Sequence, residues 1–346
     1  MEKLKLPFKA VGLCLVLLLC GVSAEEIKTQ ATEPSAFTKG SWTIVVVPDT
    51  QAYVVNERNH KVLNQTMDWV ASAKSERNIK AVVHVGDMTQ RNNEIEWRRI
   101  RSTYRKLDNV LPYINCTGNH DQSKGPKRAT RMNEFFKLAE NPLNKNIFGG
   151  SYEPGQLQNA YYTISQNSLN YLFLAIENKT RKSVMDWAEK VIKNHPDHRV
   201  FITVHEYMTE ESRLLSKDGR PDPKGKDVVG VFERLAKLNP NVEFITCGHV
   251  KAVKKSDGKI IDDADIATGH RSDEIEGGVT VHQMLFNAQW LKNDKGQANG
   301  GDGWLLLLEF SADNKLVKAK TYSPYLDLWR TGSEYEYNLQ RSKTKK

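Results

Sequence analysis

The sequence predicts an α/β fold, on three observations. Short apolar runs of strand length alternate with segments whose apolar residues recur at helical spacing. Hydrophobic residues make up 39% of the 346 residues, enough for a sizeable core. No repeat, heptad or low-complexity tract interrupts the alternation, and no internal linker divides it.

Lys3, Lys5 and Lys9 precede an apolar run from Ala10 to Val22, and Val22-Ser23-Ala24 offers a small-residue cleavage pattern, so residues 1–24 read as a secretory leader. The run is shorter than the roughly 18 apolar residues that a bilayer span needs. The expectation is an exported protein, secreted or periplasmic, with no stable membrane anchor once the leader is gone. Residues 25–40 are polar, contain Pro34 and read as a linker.

The strand Trp42 to Val47 opens the domain. Val62, Thr66, Trp69, Val70 and Ala73 share a helical face, Ala81 to Val85 is a strand, Trp97, Ile100, Tyr104 and Leu107 repeat as a helix, and Leu111 to Cys116 is a strand. Further strands are expected at Ala160 to Ile164, Tyr171 to Ile176, Val200 to Val204 and Val242 to Cys247, with helices at Ser183 to Lys193 and Asp227 to Leu238. Beyond Val250 the chain turns strand-rich, at Val279 to Phe286, Trp304 to Phe310 and Leu316 to Tyr322. One domain is expected over 41–330, with a basic, solvated tail over 331–346.

The formal charge of +8 falls to +6 without residues 1–24, and Arg341, Lys343, Lys345 and Lys346 of the tail account for four of those charges. The body is therefore nearly neutral, and no basic, aromatic-interleaved face signals nucleic acid. Cys116 and Cys247, the two cysteines beyond the leader, both end apolar strands and read as buried free thiols, although a pairing in the fold stays open. Oligomeric state has no sequence signal.

Five apolar strands end at once on a polar residue able to bind a metal: Asp49 after "IVVV", Asp87 in "VVHVGD", Asn119 and His120 in "CTGNHD", His205 in "FITVHE" and His249 in "FITCGHV". The carboxyl ends of strands in α/β sheets share one edge, where ligands bind. Carboxylate, amide oxygen and imidazole without thiolate suit divalent ions such as Mn, Fe or Zn.

These motifs, "GD" at Gly86-Asp87, "GNHD" at Gly118 to Asp121, the strand-end His205 and "GH" at Gly248-His249, resemble the calcineurin-like metallophosphoesterase superfamily. The resemblance implies two packed mixed β-sheets flanked by helices, one or two bound divalent ions and hydrolysis of a phosphate-ester substrate. It also implies a metal set of Asp87, Asn119, His205 and His249, with Asp87 bridging to a second ion. Asp49 and Gln51 would serve that ion, but the family's usual Asp-x-His is here Asp49-Thr50-Gln51, and its Gly-His-x-His is Gly248-His249-Val250-Lys251. The chain is similar to a branch opening "PDTQ" that shares the ending "NAQW…GGDGWLLLLEF…TYSPY".

The resemblance places His120 on the leaving-group side as a general acid, with Asp121 orienting its ring; a loop-bracing His120 is the other reading. Lys251 either pairs with Asp49 and offers donors to a phosphate, or faces solvent. Arg91 follows the "GD" loop and is a candidate phosphate contact, whereas Arg98 and Arg99 read as exposed helix charges. His84 reads as a core histidine, and either His270 or His282 is a reserve for the missing imidazole. A non-catalytic or weakly catalytic metal-binding surface protein with the same fold stays open, and Gln51 and Lys251 carry that alternative.

Overall fold

The structure, a computed structural model, describes residues 30–31, 36–124, 128–212, 214–215, 230–252, 254–256, 259–262, 265–292 and 296–342. The leader, most of the linker, and Lys343, Lys345 and Lys346 lie outside them, as does the start of the helix expected from Asp227. Among the described residues no helix is long and apolar enough to cross a membrane.

The first half of the chain lays down β1 (Trp42–Val47), α1 (Glu57–Ser72), β2 (Ile79–His84), α2 (Glu94–Tyr104) and β3 (Tyr113–Asn115). These three strands pair in parallel. Each helix starts where the sequence supplies a cap: the Asn56 side chain accepts from Asn59 N (2.8 Å) and that of Asn93 from Glu96 N (3.0 Å). Val62, Leu63, Met67 and Val70 of α1 and Trp97 and Ile100 of α2 then face the sheet and are buried.

The chain next forms β4 (Phe148–Ser151), β5 (Ala160–Gln166), β6 (Leu169–Ala175), α3 (Lys182–Lys193), β7 (His198–Thr203) and β8 (Val242–Cys247), with a short π-helix at Val231–Ala236. Then come β9 (Ala267–Ile275) and β10 (Val279–Asn287), followed by β11 (Leu305–Phe310), β12 (Leu316–Ser323), β13 (Leu328–Arg330) and β14 (Glu336–Gln340).

One mixed sheet orders Gln30–Ala31, β13, β12, β11, β1, β2 and β3, with β14 also on β12; the other orders β9, β10, β8, β7, β6, β5 and β4. Trp42, Ile44, Phe173, Phe201, Phe244, Met284 and Phe310 fill the space between them. A second apolar cluster packs α1 and α2 on the outer face of the first sheet, and a third packs α3 and the π-helix on that of the second. The fold is thus the expected α/β arrangement of two packed mixed sheets flanked by helices.

One expectation is corrected here. The segment from 331 on is not a solvated tail over its described part, because β14 pairs with β12 and Arg341 is buried against Glu243 (2.6 Å), beneath the Tyr171 ring. Alternation in "EYEYNLQ" is masked in the sequence by charges that the pairing accommodates. Removing one partner of such a buried ion pair costs on the order of 3–5 kcal/mol. Tyr322 and Trp329 stack at 4.5 Å, and Tyr322 packs on Trp69 of α1, within the apolar cluster on that face. Cys116 and Cys247 are buried free thiols.

Candidate metal centre

The parallel strands β1, β2 and β3 of one sheet, and β7, β8 and β10 of the other, run out at the same edge, and their terminal residues meet there. One ligand atom from each of Asp87, His205 and His249 lies within 4.8 Å of the others. The Asn119 Oδ1 is 3.1 Å from His205 Nε2. Asp87 and His249 both take left-handed backbone conformations (φ 52° and 72°), uncommon for non-glycine residues and the kind of local cost that clusters at functional sites. The glycines of "GNHD" and "GH" permit the close approach: a Cβ at Gly118 would overlap the Asp87 carboxylate, and one at Gly248 the Asp49 carboxylate.

His205 is the hub. Its Nδ1–H donates to the Val85 carbonyl (3.0 Å), which fixes the tautomer and turns Nε2 to the centre. That nitrogen stands 3.2 Å from Asp87 Oδ2, 3.1 Å from Asn119 Oδ1 and 3.1 Å from His249 Nδ1. So many lone pairs around one point form a set that a divalent cation satisfies. Burial alone would lower the His205 pKa, yet the carboxylates of Asp87 and Asp49 raise it to about 10. Burial, and then the charge on His205, push His249 down to about 4.

Asp49 is fully buried, which raises its pKa to about 8. It accepts from His249 N (3.1 Å), from Asn287 Nδ2 (3.0 Å) and from Gln289 Nε2 (2.8 Å). Beside it, Gln51 Oε1 and Gln289 Oε1 are buried acceptors with no partner among the described residues, so the oxygens of this half also fit a cation. Sequence reasoning did not pick out Asn287 and Gln289 as site residues. Their signal is the rule that found the others: β10 is an apolar strand ending on "NAQ", a sixth polar strand end.

Several assignments change. Lys251 does not pair with Asp49; its ammonium lies 4.2 Å from the centroid of the Trp290 ring, and the two carboxamides occupy the Asp49 oxygen instead. Asp121 does not orient His120. It is buried and takes the N–H groups of Met88 (2.9 Å), Thr89 (2.7 Å) and Gly118 (2.9 Å) and the Thr89 hydroxyl (2.9 Å), tying the "GNHD" loop to the "GD" loop. His120 donates Nδ1–H to the Gln90 carbonyl (2.8 Å), and its backbone N–H donates to Asp87 Oδ1 (2.9 Å). The Gln90 carbonyl is itself set by Glu96 of α2, which accepts from Gln90 N (3.0 Å) and Arg91 N (2.7 Å). Arg91 folds back onto the same Glu96 (2.8 Å) rather than onto the centre.

The reserve histidines stay outside. His282 bonds to Ser272 Oγ (2.8 Å) and the Gln340 carbonyl (2.9 Å), and His270 stacks on Tyr337 at 4.0 Å. His84 is a core histidine: Gly86 N donates to Nδ1 (3.0 Å), so Nε2–H donates to Thr50 Oγ1 (3.0 Å), which donates to the Met88 carbonyl (3.1 Å).

The chain is 29% identical over 291 residues to the uncharacterized protein YvnB of Bacillus subtilis (strain 168), covering 83% of this chain and 20% of that protein. It therefore spans about a fifth of that relative's length. Among solved structures it is similar to purple acid phosphatase PPD1 from yellow lupin (Lupinus luteus) seeds, with a TM-score of 0.51 at 12% identity, over 89% of this chain and 55% of that one; this is a likeness of fold. The family profile described as Calcineurin-like phosphoesterase matches residues 43–252, from β1 past His249, and the chain belongs to that family.

Proposed function

We propose that the protein is an exported, metal-dependent hydrolase of phosphate mono- or diesters. The observation that carries this reading is the convergence of Asp87, Asn119, His205 and His249 on one point, with the His205 tautomer set by Val85. These four residues would hold one divalent ion, Mn, Fe or Zn by ligand type. Asp87, Asp49 and the carbonyl oxygen of Gln51 would hold a second, with Asp87 shared between the two. A divalent ion held there supplies charge against the phosphoryl oxygens and lowers the pKa of the attacking water.

The chain's own groups do the rest. Asn119 directs its amide dipole at the phosphate. His120, with Nδ1–H fixed on Gln90, presents Nε2 outward, and in its protonated form it can deliver a proton to the departing alkoxide. Asp121 keeps the two loops in register so that His120 and Asp87 hold their spacing. Export is supported by the leader-like residues 1–24.

The test is hydrolysis of aryl phosphate mono- and diesters with Mn added, beside an Asp87→Asn variant. Turnover in the wild type that the variant loses supports the reading, and inert wild-type protein that still binds Mn would make it a non-catalytic metal-binding protein. Amino-terminal sequencing of protein recovered outside the cytoplasm should begin near Glu25.

A further inference from the structure

A second feature adjoins the centre. From Asn119 a cleft of about 960 Å³ runs to the start of α3. Lys124, Arg128, Lys179, Arg181 and Lys182 line it, and Asp186 is the one acidic residue among the described residues that do. The two arginines are fixed in place. Arg181 is held by Glu177 (2.6 Å) and Glu153 (2.7 Å), while Arg128 donates to the Asn178 carbonyl. The lysines are exposed: Lys182 reaches Asp186 (2.8 Å), Lys179 lies 3.6 Å from Glu206, and Lys124 makes no ion pair among the described residues.

Two further observations point to a ligand. The twelve-residue helix α3 opens into the cleft through Arg181, Lys182 and Ser183, and no side chain caps its first turn, so its N–H groups and the positive end of its dipole are presented there. Asn178, also on the lining, is 1% exposed, and its Oδ1 has no hydrogen-bond partner among the described residues. A buried acceptor left unpaired is costly, and a ligand hydroxyl would satisfy it.

We infer that this cleft is a subsite for the alcohol portion of the substrate, and that the preferred alcohol is a hydroxylated anion, such as a sugar or polyol carrying a second phosphate. This rests on the phosphoesterase reading above. The second phosphate sits among the lysines and the α3 N-terminus, and a hydroxyl donates to Asn178 Oδ1. The separation from Asp87 and His205 is built in, because Asn119 belongs to both places.

The experiment compares glucose 1,6-bisphosphate with glucose 6-phosphate, measured as phosphate released by Mn-supplemented protein. The wild type should favour the bisphosphate in kcat/KM by about tenfold, and that ratio should fall by about three- to tenfold in Lys124→Ala/Lys182→Ala, the range that two exposed ion pairs span. The charge reversal Lys182→Glu, at an exposed helix start, should lower the ratio further. Equal kcat/KM for the two esters in the wild type, or a ratio unchanged in these variants, overturns the subsite. Calorimetric titration of Asp87→Asn protein with glucose 1,6-bisphosphate separates the two readings. Binding that weakens with the lysine substitutions supports the subsite even if no ester is hydrolysed by the wild type, which would sink the hydrolase reading alone. Binding that is absent, or indifferent to both lysines, overturns the subsite whatever the turnover.

Discussion

The two halves of the centre differ in kind. On one side Asp87, Asn119, His205 and His249 put two imidazole nitrogens and two oxygens within a few ångströms of each other, with the orientation of His205 fixed by a backbone carbonyl. On the other, Asp49 is surrounded by amides: Asn287 and Gln289 donate to it, and the carbonyl oxygens of Gln51 and Gln289 have no partner among the described residues. The first half resembles a site for a borderline ion and the second an all-oxygen site for a harder one, with lower affinity for transition metals. The difference teaches that a changed motif need not be a broken one. Where the family pattern places one histidine, this chain has the neutral carboxamide of Gln51, and where it places the other, Lys251 stands aside on Trp290.

The largest expected effect breaks the stronger half. His249→Ala or Asn119→Ala should lose the firmly held ion, so that metal content after extensive dialysis falls from about one equivalent towards zero. Full retention of metal in both variants would remove the ligand assignment. Next comes the proton. His120→Asn should cost on the order of 10²-fold or more with alkyl esters and far less with a nitrophenyl ester that departs unaided. Equal losses on the two substrates, at unchanged metal content, would make His120 a positioning residue only.

The weaker half responds on a smaller scale. Gln289→Ala removes one of the two carboxamide donors on the same Asp49 oxygen and should weaken the second ion by about 10- to 100-fold, as loss of a supporting hydrogen bond at a metal site commonly does. Mn titration followed by paramagnetic resonance would show the loosened site, and an unchanged second dissociation constant would leave Gln289 with no part in it. Smallest of all is Lys251→Ala. It removes a cation–π contact between two half-buried residues, worth about 1 kcal/mol, and should shift the thermal midpoint slightly, with kcat/KM almost unchanged. A large loss of turnover would return Lys251 to the phosphate-binding role that its position over Trp290 argues against.

Which residues could be read without a structure follows from distance along the chain. The polar ends of β1, β2, β7 and β8 were legible because each follows its own apolar strand directly. Asp121 was legible as a residue and not as a role, since its four donors come from Met88, Thr89 and Gly118. A neighbour in sequence to His120 is not thereby its neighbour in hydrogen bonding. Asn287 and Gln289 end β10 by the same rule, but a neutral carboxamide is a weak ligand signal on its own, and what singles them out is contact with Asp49 across about 240 residues, a separation over which pattern carries no information on contact.

By itself, then, the sequence determined the α/β class, most strand positions and the identity of the strand-end residues, because periodicity and local turn chemistry are properties of short segments. The tertiary structure decided which groups share a proton or a vacant lone pair: that Lys251 leaves Asp49 to two carboxamides, that β14 and Arg341 join the core, and that five cations and the start of α3 border the same cleft as Asn119. Those are consequences of two sheets packing face to face, which brings together strand ends that no local interaction connects.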